Sequence, residues 1–282
     1  MLKITYAVIL LFLSAGSAAA DSWTWIPVET VEVDWNADGK KDRIVLEAIK
    51  EIVETHDPGD FHRVRIQIAG KPEFVLENVE GWVRYSGDES ASEKTLLYFV
   101  DKAVGLFKYQ ASFGNRYKSI ARSDCFALSP ASPSRNKEFV MLLFGYQYAS
   151  SPGKLTVISL DQTGYPKVIF DEEFELSRLE DLDGDNLVEL MGEPRYGEVF
   201  GPDNIFHSYV PTYIYSLVRK DGCLQLQMNK KLSKKYNEEH YYGWVNPEVS
   251  HEYVVVEPKD GSSPKLMKLT DAEKTYGRPG MK

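Results

Sequence analysis

The chain has 282 residues, with 42 acidic against 33 basic side chains and a formal net charge of −9. This balance argues against nucleic acid and anionic lipid as partners, because their phosphates select basic surfaces, and it favours the binding of cations. The sequence carries no G-x-S-x-G elbow, P-loop, H-E-x-x-H or C-x-x-C pattern, so the common sequence-readable hydrolase, nucleotide and zinc sites are missing.

Residues 1–20 have the pattern of a secretory signal peptide. Lys3 supplies the positive start, Tyr6 to Leu13 form a short apolar stretch, and residues 18–20 are an Ala-Ala-Ala cleavage site. We therefore expect residues 21–282 to form a single β-rich domain that is periplasmic or secreted. No later apolar run approaches the ~18 residues of a membrane span, so we expect no membrane span.

The first acidic loop, residues 34–42, reads Asp-Trp-Asn-Ala-Asp-Gly-Lys-Lys-Asp. Oxygen-bearing side chains occupy positions 1, 3, 5 and 9, a spacing that lets a tight turn direct them at one hard cation while position 7 offers its carbonyl. Gly39 at position 6 allows the sharp bend. The flanking apolar residues alternate with polar ones, which is typical of strands. The predicted metal ligands are Asp34, Asn36, Asp38, Lys40 (through its carbonyl) and Asp42.

Strand patterns dominate residues 62–170 and return at residues 212–228. Runs rich in Val, Ile, Tyr and Phe are separated by turn residues, and Asp221-Gly222 is the best hairpin signal. Helical patterns are confined to residues 231–240 and 271–275. The predicted strands are His62–Ile68, Pro72–Leu76, Thr95–Phe99, Gly105–Tyr109, Phe139–Tyr146, Lys154–Leu160, Lys167–Phe170, Thr212–Val218 and Cys223–Met228.

The second acidic loop, residues 181–189, repeats the ligand spacing of the first one, with Asn186 as the turn residue at position 6. Clustered carboxylates repel one another, and a bound divalent cation would supply the compensating charge. An ordinary turn rich in Asp and Asn is the alternative for each loop. The predicted metal ligands are Asp181, Asp183, Asp185, Leu187 (through its carbonyl) and Glu189.

The flanks of the two loops discriminate between calcium motifs. An EF-hand needs helices on both sides and a bidentate Glu at position 12, where this chain has Val45 and Gly192. A strand, the turn D-x-[DN]-x-[DN]-[GN]-x-x-[DE] and a further strand resemble FG-GAP or VCBS repeats, the units of integrin-like β-propellers. The likeness is specific in the loops and in the strands that follow them, Arg43–Glu47 and Val188–Met191, and only compositional elsewhere.

This resemblance implies structural Ca²⁺ in each loop and an all-β, β-propeller-like fold built from degenerate blades. The internal repeats do not share one period: residues 106–110 recur at residues 143–147, a shift of 37, whereas the acidic loops begin 147 positions apart. A β-sandwich with calcium-binding turns is therefore the alternative fold.

The two cysteines have two possible states. If the chain reaches an oxidising compartment, Cys125 and Cys223 can form a disulfide, and otherwise they are thiols that behave as small apolar residues.

Aromatic residues crowd the C-terminal part, at Tyr209–Tyr215, Tyr236, Tyr241, Tyr242, Trp244 and Tyr253. They fit a rim that binds a protein or a glycan, or simply a β-rich core.

Two functions from different classes follow. The first is an exported, non-catalytic calcium-binding module that presents a surface for a protein or glycan ligand. The alternative is a secreted hydrolase, acting on polysaccharide or phosphoester, whose site is assembled from distant loops; a purely structural subunit of an envelope assembly is a third possibility. A deep pocket with perturbed acids would favour the enzyme, and an aromatic rim would favour the binder.

Overall fold

The computed structural model describes residues 23–36, 38–53, 59–83, 98–101, 105–108, 139–147, 151–185, 187–194 and 197–278. Within these ranges the chain is all-β, as the strand patterns predict, with seventeen strands in three antiparallel sheets and three α-helices. The predicted signal peptide, residues 1–20, lies outside the described residues. No helix in the described ranges is long and apolar enough to cross a membrane.

The first sheet has nine strands. Its first four strands pair in chain order, and the long strand β7 then pairs with β4 and β5 on one side and with β8 on the other. The short helix α1, Lys50–Val53, follows β2. The strands are β1 Trp25–Val33, β2 Asp42–Ile49, β3 Phe61–Gln67, β4 Phe74–Val83, β5 Tyr98–Asp101, β6 Gly105–Lys108, β7 Phe139–Gln147, β8 Ser151–Leu160 and β9 Pro166–Glu173.

The other two sheets have four strands each, in the orders β10-β11-β14-β15 and β12-β13-β16-β17. Two α-helices, α2 Lys230–His240 and α3 Leu269–Tyr276, and two 3₁₀ turns, Pro202–Asn204 and Pro247–Glu252, complete the fold. The strands are β10 Glu175–Glu180, β11 Glu189–Glu193, β12 Val199–Phe200, β13 Phe206–Ser208, β14 Tyr213–Lys220, β15 Cys223–Met228, β16 Tyr253–Val256 and β17 Lys265–Lys268.

Strand β7 is buried on both faces, because alternate residues of a strand point to opposite sides of its sheet. Met141 and Leu143 belong to a core enclosed by the first sheet, which also holds Trp35. Leu142 and Phe144 belong to a second core, in which the first sheet packs against the second. Such a strand reads as a continuous apolar run, as residues 139–144 do.

Helix α2 is fixed to the second sheet by polar side chains. The buried Asn237 accepts a hydrogen bond from the Thr212 backbone N–H (3.0 Å) and donates one to the Thr212 carbonyl (2.7 Å). The backbone N–H of Ile214 donates to the hydroxyl of the buried Ser233 (2.9 Å). Strand β15 pairs with β14 only from Tyr215 onwards. The side chains of Asn237 and Ser233 therefore take the hydrogen-bonding place of a neighbouring strand just before and at the start of β14.

The predicted hairpin at Asp221-Gly222 is confirmed between β14 and β15. Asp221 and Gly222 both have positive φ (50° and 76°), as a tight two-residue hairpin turn of this hand requires. The predicted disulfide stays a prediction, because Cys125 lies outside the described residues; Cys223 carries a free thiol in this structure.

Candidate metal centre

Both acidic loops close antiparallel hairpins in the same register. In the first hairpin, Val33 of β1 pairs with Asp42 of β2. In the second, Glu180 of β10 pairs with Glu189 of β11. The residue before position 1 thus faces position 9 in both loops, so the strand, acidic turn and strand predicted from the sequence occur twice.

The backbone of each loop is held by the same bond between position 2 and position 9. The Trp35 N–H donates to Asp42 Oδ2 over 2.8 Å. The Leu182 N–H donates to Glu189 Oε2 over 2.9 Å. In each case one carboxylate oxygen of the position-9 acid is used by the loop backbone.

Two further hydrogen bonds also recur. The position-5 N–H donates to the position-3 side chain, from Asp38 to Asn36 Oδ1 (3.1 Å) and from Asp185 to Asp183 Oδ1 (3.2 Å). The position-7 N–H donates to the position-5 carboxylate at 2.8 Å in both loops, where Asp38 and Asp185 accept. These are Asx-type turns, which satisfy the backbone and also fix the direction of each accepting side chain.

The first loop ends in a buried carboxylate with an unsatisfied oxygen. Asp42 is 0% exposed, and its Oδ1 atom accepts no hydrogen bond within the described part of the chain. Burial raises the pKa of Asp42 and the nearby Asp38 carboxylate raises it further, whereas the backbone N–H groups of Trp35, Asn36 and Ala69 lower it. A buried carboxylate oxygen without a hydrogen bond is costly when it is ionised, and a bound cation is one partner that could offset this cost.

The second loop brings three carboxylates together. One carboxylate oxygen from each of Asp181, Asp183 and Glu189 lies within 4.8 Å of the others. Glu189 is 2% exposed, and its pKa is raised mainly by burial and further by the charges of Asp183, Asp185 and Asp181. This acidic triad could hold a metal ion.

Other predicted ligands form hydrogen bonds within the loops. Asp185 and Asp38 are exposed and cap the turn at Leu187 and Lys40, as described above. Asn36 also donates a hydrogen bond from its amide to Asp38 Oδ2 (3.2 Å). In the described structure the carboxylates of Asp34, Asp38 and Asp42 do not form a triad as close as that of the second loop.

The turn residue at position 6 is described in the first loop only. Gly39 has φ of 85°, the left-handed region that the sequence pattern predicts, and a side chain added there would meet no atom within 4 Å. Backbone conformation alone therefore requires glycine at this position. Asn186, its counterpart, lies outside the described residues.

The donor set fits a hard cation. Carboxylate and amide oxygens supply both predicted ligand sets, which is the chemistry that Ca²⁺ and Mg²⁺ select, whereas zinc and copper favour imidazole and thiolate. The buried, unsatisfied Asp42 oxygen and the close triad of the second loop are the observations on which this fit depends. The arrangement can neutralise and organise a turn, and its raised carboxyl pKa values arise from burial and mutual repulsion.

Sequence reasoning missed one polar neighbour of the second loop. The hydroxyl of Ser216, on β14, lies 3.5 Å from Glu189 Oε1 and donates towards it. Ser216 is directly opposite Glu189 in the pairing of β11 with β14, but it is 27 residues away in the chain. Only the strand pairing identifies it, and no local motif does.

Comparison of the chain with models of known protein families, with curated proteins and with solved structures gives no match.

Proposed function

We propose that the chain is an exported, non-catalytic calcium-binding β module of the FG-GAP or VCBS kind. Structural Ca²⁺ in the two acidic loops stabilises the hairpins β1–β2 and β10–β11, and the module presents a surface to a protein or glycan ligand. The metal has no catalytic role in this proposal, since a short loop supplies most of the cation's ligands and leaves little room for a substrate.

One observation carries the proposal: two loops 147 residues apart have the same three hydrogen bonds at equivalent positions. In both, the residue before position 1 also pairs with the residue at position 9. An accidental Asx turn has no reason to repeat a nine-residue ligand spacing together with its backbone geometry. In both loops the position-9 acid is buried with a raised pKa. A carboxylate is retained at such a position when a cation offsets its desolvation.

The number and kind of the predicted ligands support Ca²⁺ as the proposed cation. Five oxygens from one loop, four of them from side chains and one from the backbone, suit the irregular coordination of Ca²⁺ better than the strict octahedron of Mg²⁺. Extracellular calcium modules bind in the range of about 10⁻⁴–10⁻³ M. We expect the same range here, where millimolar calcium outside the cell would keep the loops loaded.

The finer architecture is a propeller-like arrangement of blades, with the β-sandwich as the alternative. The order β10-β11-β14-β15 gives a four-stranded antiparallel sheet of blade size, and β1 to β4 form a second meander of four strands that also opens with an acidic hairpin. The packing of the first sheet on the second around one core supports the sandwich alternative.

Thermal unfolding with calcium, magnesium or chelator tests the metal assignment. Calcium at millimolar concentration is expected to raise Tm, and Asp38→Ala together with Asp185→Ala is expected to abolish that rise. Asp203→Ala is the matched control, because its side chain is 70% exposed and lies outside both loops. An identical Tm with calcium and with chelator in the unmodified protein would count against the proposal.

The export part of the proposal has its own test. The mass of the protein isolated from its natural host is expected to correspond to a chain that begins at Asp21. A retained residue 1 would contradict export through this segment without affecting the calcium assignment.

A further inference from the structure

The buried acid of the second loop also contacts the strand beside its hairpin. Glu189, the first residue of β11, lies directly opposite Ser216 of β14. The Leu182 N–H donates to Glu189 Oε2 (2.9 Å), and the Ser216 hydroxyl donates to Glu189 Oε1 (3.5 Å). Both oxygens of this carboxylate therefore have a donor within the protein, and each oxygen keeps a further lone pair that a cation can use.

The Ser216 hydroxyl is itself held by an amide group. The Nδ2 atom of Asn229 donates to Ser216 Oγ over 3.3 Å. Because a hydroxyl has one proton and two lone pairs, Ser216 can accept from Asn229 while it donates to Glu189. The three side chains form a chain of hydrogen bonds that ends on the carboxylate of the second loop.

Asn229 is held in a fixed position because it is the N-cap of helix α2. Its Oδ1 atom accepts from the Leu232 N–H over 3.1 Å. Its backbone N–H donates to the Ile214 carbonyl (2.7 Å), and its carbonyl accepts from the Ser233 N–H (2.9 Å). Backbone and side chain together therefore fix the amide group that donates to Ser216.

The first loop holds its position-9 acid differently. Asp42 accepts from the Trp35 N–H through Oδ2, and its Oδ1 atom accepts no hydrogen bond within the described part of the chain. The second loop matches the bond to the loop backbone, but it adds the hydroxyl of Ser216 on the other carboxylate oxygen. A substitution at Ser216 is therefore expected to act on the second loop alone.

We propose that Ser216 is a positioning residue for calcium in the second loop, and that Asn229 connects this metal site to helix α2. A donor that holds a ligating carboxylate in one orientation lowers the cost of ordering it when the metal binds. Linkage makes the effect mutual: bound calcium stabilises the docked N-terminal end of α2 as much as the ordered side chains strengthen calcium binding. The inference rests on the proposed calcium-binding function and adds the regulation of one of its two sites.

A calcium titration followed by NMR tests the role of Ser216 in each loop separately. The amide of Gly184 reports the second loop, and the amide of Gly39 reports the first. Ser216→Ala is expected to move the Gly184 midpoint to about tenfold higher calcium and to leave the Gly39 midpoint unchanged. Ser216→Thr, which keeps the hydroxyl, is expected to bind nearly as the unmodified protein does. An unchanged Gly184 midpoint in Ser216→Ala would overturn the inference.

Ser177→Ala is the matched control for the loss of one hydroxyl from this sheet. The Ser177 hydroxyl, on β10, donates to the Met191 carbonyl over 3.1 Å. Its removal takes a hydrogen bond from the same hairpin without touching a predicted ligand, so the Gly184 midpoint should stay in place. Equal increases of that midpoint in Ser177→Ala and Ser216→Ala would show that Ser216 acts only through the stability of the sheet, and would refute the positioning role.

Asn229→Ser tests the connection to the helix. Serine is as good an N-cap as asparagine, but its shorter side chain has no amide to donate to Ser216. In the unmodified protein we expect calcium to slow the hydrogen exchange of the α2 amides. Asn229→Ser should remove most of this slowing and raise the Gly184 midpoint. Equal slowing in the two proteins would refute the connection through Asn229.

The same titration separates this inference from the proposed function. If the Gly39 and Gly184 amides respond to calcium alike in the unmodified protein and in every variant, both loops bind the ion and the role of Ser216 fails. If neither amide responds to millimolar calcium in the unmodified protein, the calcium assignment fails, and the positioning role fails with it.

Discussion

The backbone N–H of Trp35 donates to Oδ2 of Asp42 over 2.8 Å, across the mouth of the first acidic loop. This bond uses one oxygen of a carboxylate that is 0% exposed and leaves Oδ1 without a hydrogen bond in the described structure. In the proposed calcium site, Oδ2 of Asp42 would hold the loop backbone and Oδ1 would be the atom that faces the ion. The two roles can be separated by substitution.

Replacing Asp42 by Asn is expected to spare the metal-free fold while removing much of the calcium response. The amide keeps an oxygen for the Trp35 N–H but carries no charge. Because burial raises the pKa of Asp42 in the folded state, the metal-free protein loses stability as pH rises from the ordinary carboxyl pKa to the raised one, and Asn removes this loss. In chelator near neutral pH, Tm should thus be unchanged or higher, whereas the rise caused by calcium should be smaller.

Asp203→Asn is the control for this substitution, since it removes one carboxylate from an exposed turn. The calcium response of that variant should be intact. An Asp42→Asn protein with the full response of the unmodified chain would show that Asp42 does not ligate the ion.

Terbium luminescence should report the first loop separately from the second. Tb³⁺ is a hard cation that takes oxygen ligands, as Ca²⁺ does, and an indole close to it sensitises its emission. Trp35 lies inside the first loop, whereas the corresponding residue of the second loop is Leu182. We expect Asp38→Ala to remove most of the tryptophan-sensitised emission and Asp185→Ala to preserve it; equal losses in the two variants would contradict this assignment.

Asn237→Ala should strongly destabilise the protein, although Asn237 belongs to a helix at the protein surface. Asn237 is 0% exposed and bonds both the N–H and the carbonyl of Thr212. Alanine leaves these buried groups without partners, at a cost of about 1–3 kcal/mol for each unsatisfied group. Glu238→Ala, one residue further along, is expected to change the unfolding free energy by less than about 0.5 kcal/mol. Urea unfolding of the two variants measures the difference, and similar midpoints would contradict the role of Asn237.

Alkaline unfolding should report the burial of Tyr215. Burial against Phe170 and Phe174, with a smaller effect of Tyr213 and Glu172, raises the pKa of Tyr215 from 10.0 to about 12. The raised pKa contributes no pH dependence below about pH 10. Between pH 10 and 12 the unfolded phenol ionises while the folded one stays neutral, so the folded state loses stability as pH rises, by up to about 2–3 kcal/mol.

Tyr215→Phe should reduce that alkaline loss and have little effect at neutral pH. Tyr242→Phe, at a residue that is 40% exposed, is the comparison. Unfolding free energies measured by urea titration across the alkaline range test the difference. The same alkaline slope in Tyr215→Phe and in the unmodified protein would show that Tyr215 is not the source.

Two hairpins of the fold could be predicted because each has a local sequence pattern. Alternating apolar residues around Asp34 and Asp42 predict the hairpin β1–β2, and Asp221-Gly222 predicts the hairpin β14–β15. The third sheet was not predicted, because its strands have two to four residues and pair over long distances, as Phe206 does with Val256. Such pairing leaves no periodic signal in a short window.

For the site, ligand spacing was readable from the sequence and burial was not. The nine-residue pattern names Asp42 and Glu189, but only the strand pairing shows that both are buried and that Ser216 faces Glu189. Tyr209 and Tyr253 line one cavity although they lie 44 residues apart in the chain, so each could be marked as aromatic but their convergence could not be predicted.

Helix α2 has a consequence for the association of this protein with other chains. Asn237 and Ser233 occupy the backbone groups of Thr212 and Ile214 that would otherwise be open to an added strand. A peptide in extended conformation can therefore extend the second sheet there only after the helix has detached. Loss of these two side chains would leave the backbone groups of Thr212 and Ile214 open to hydrogen bonding with another extended chain.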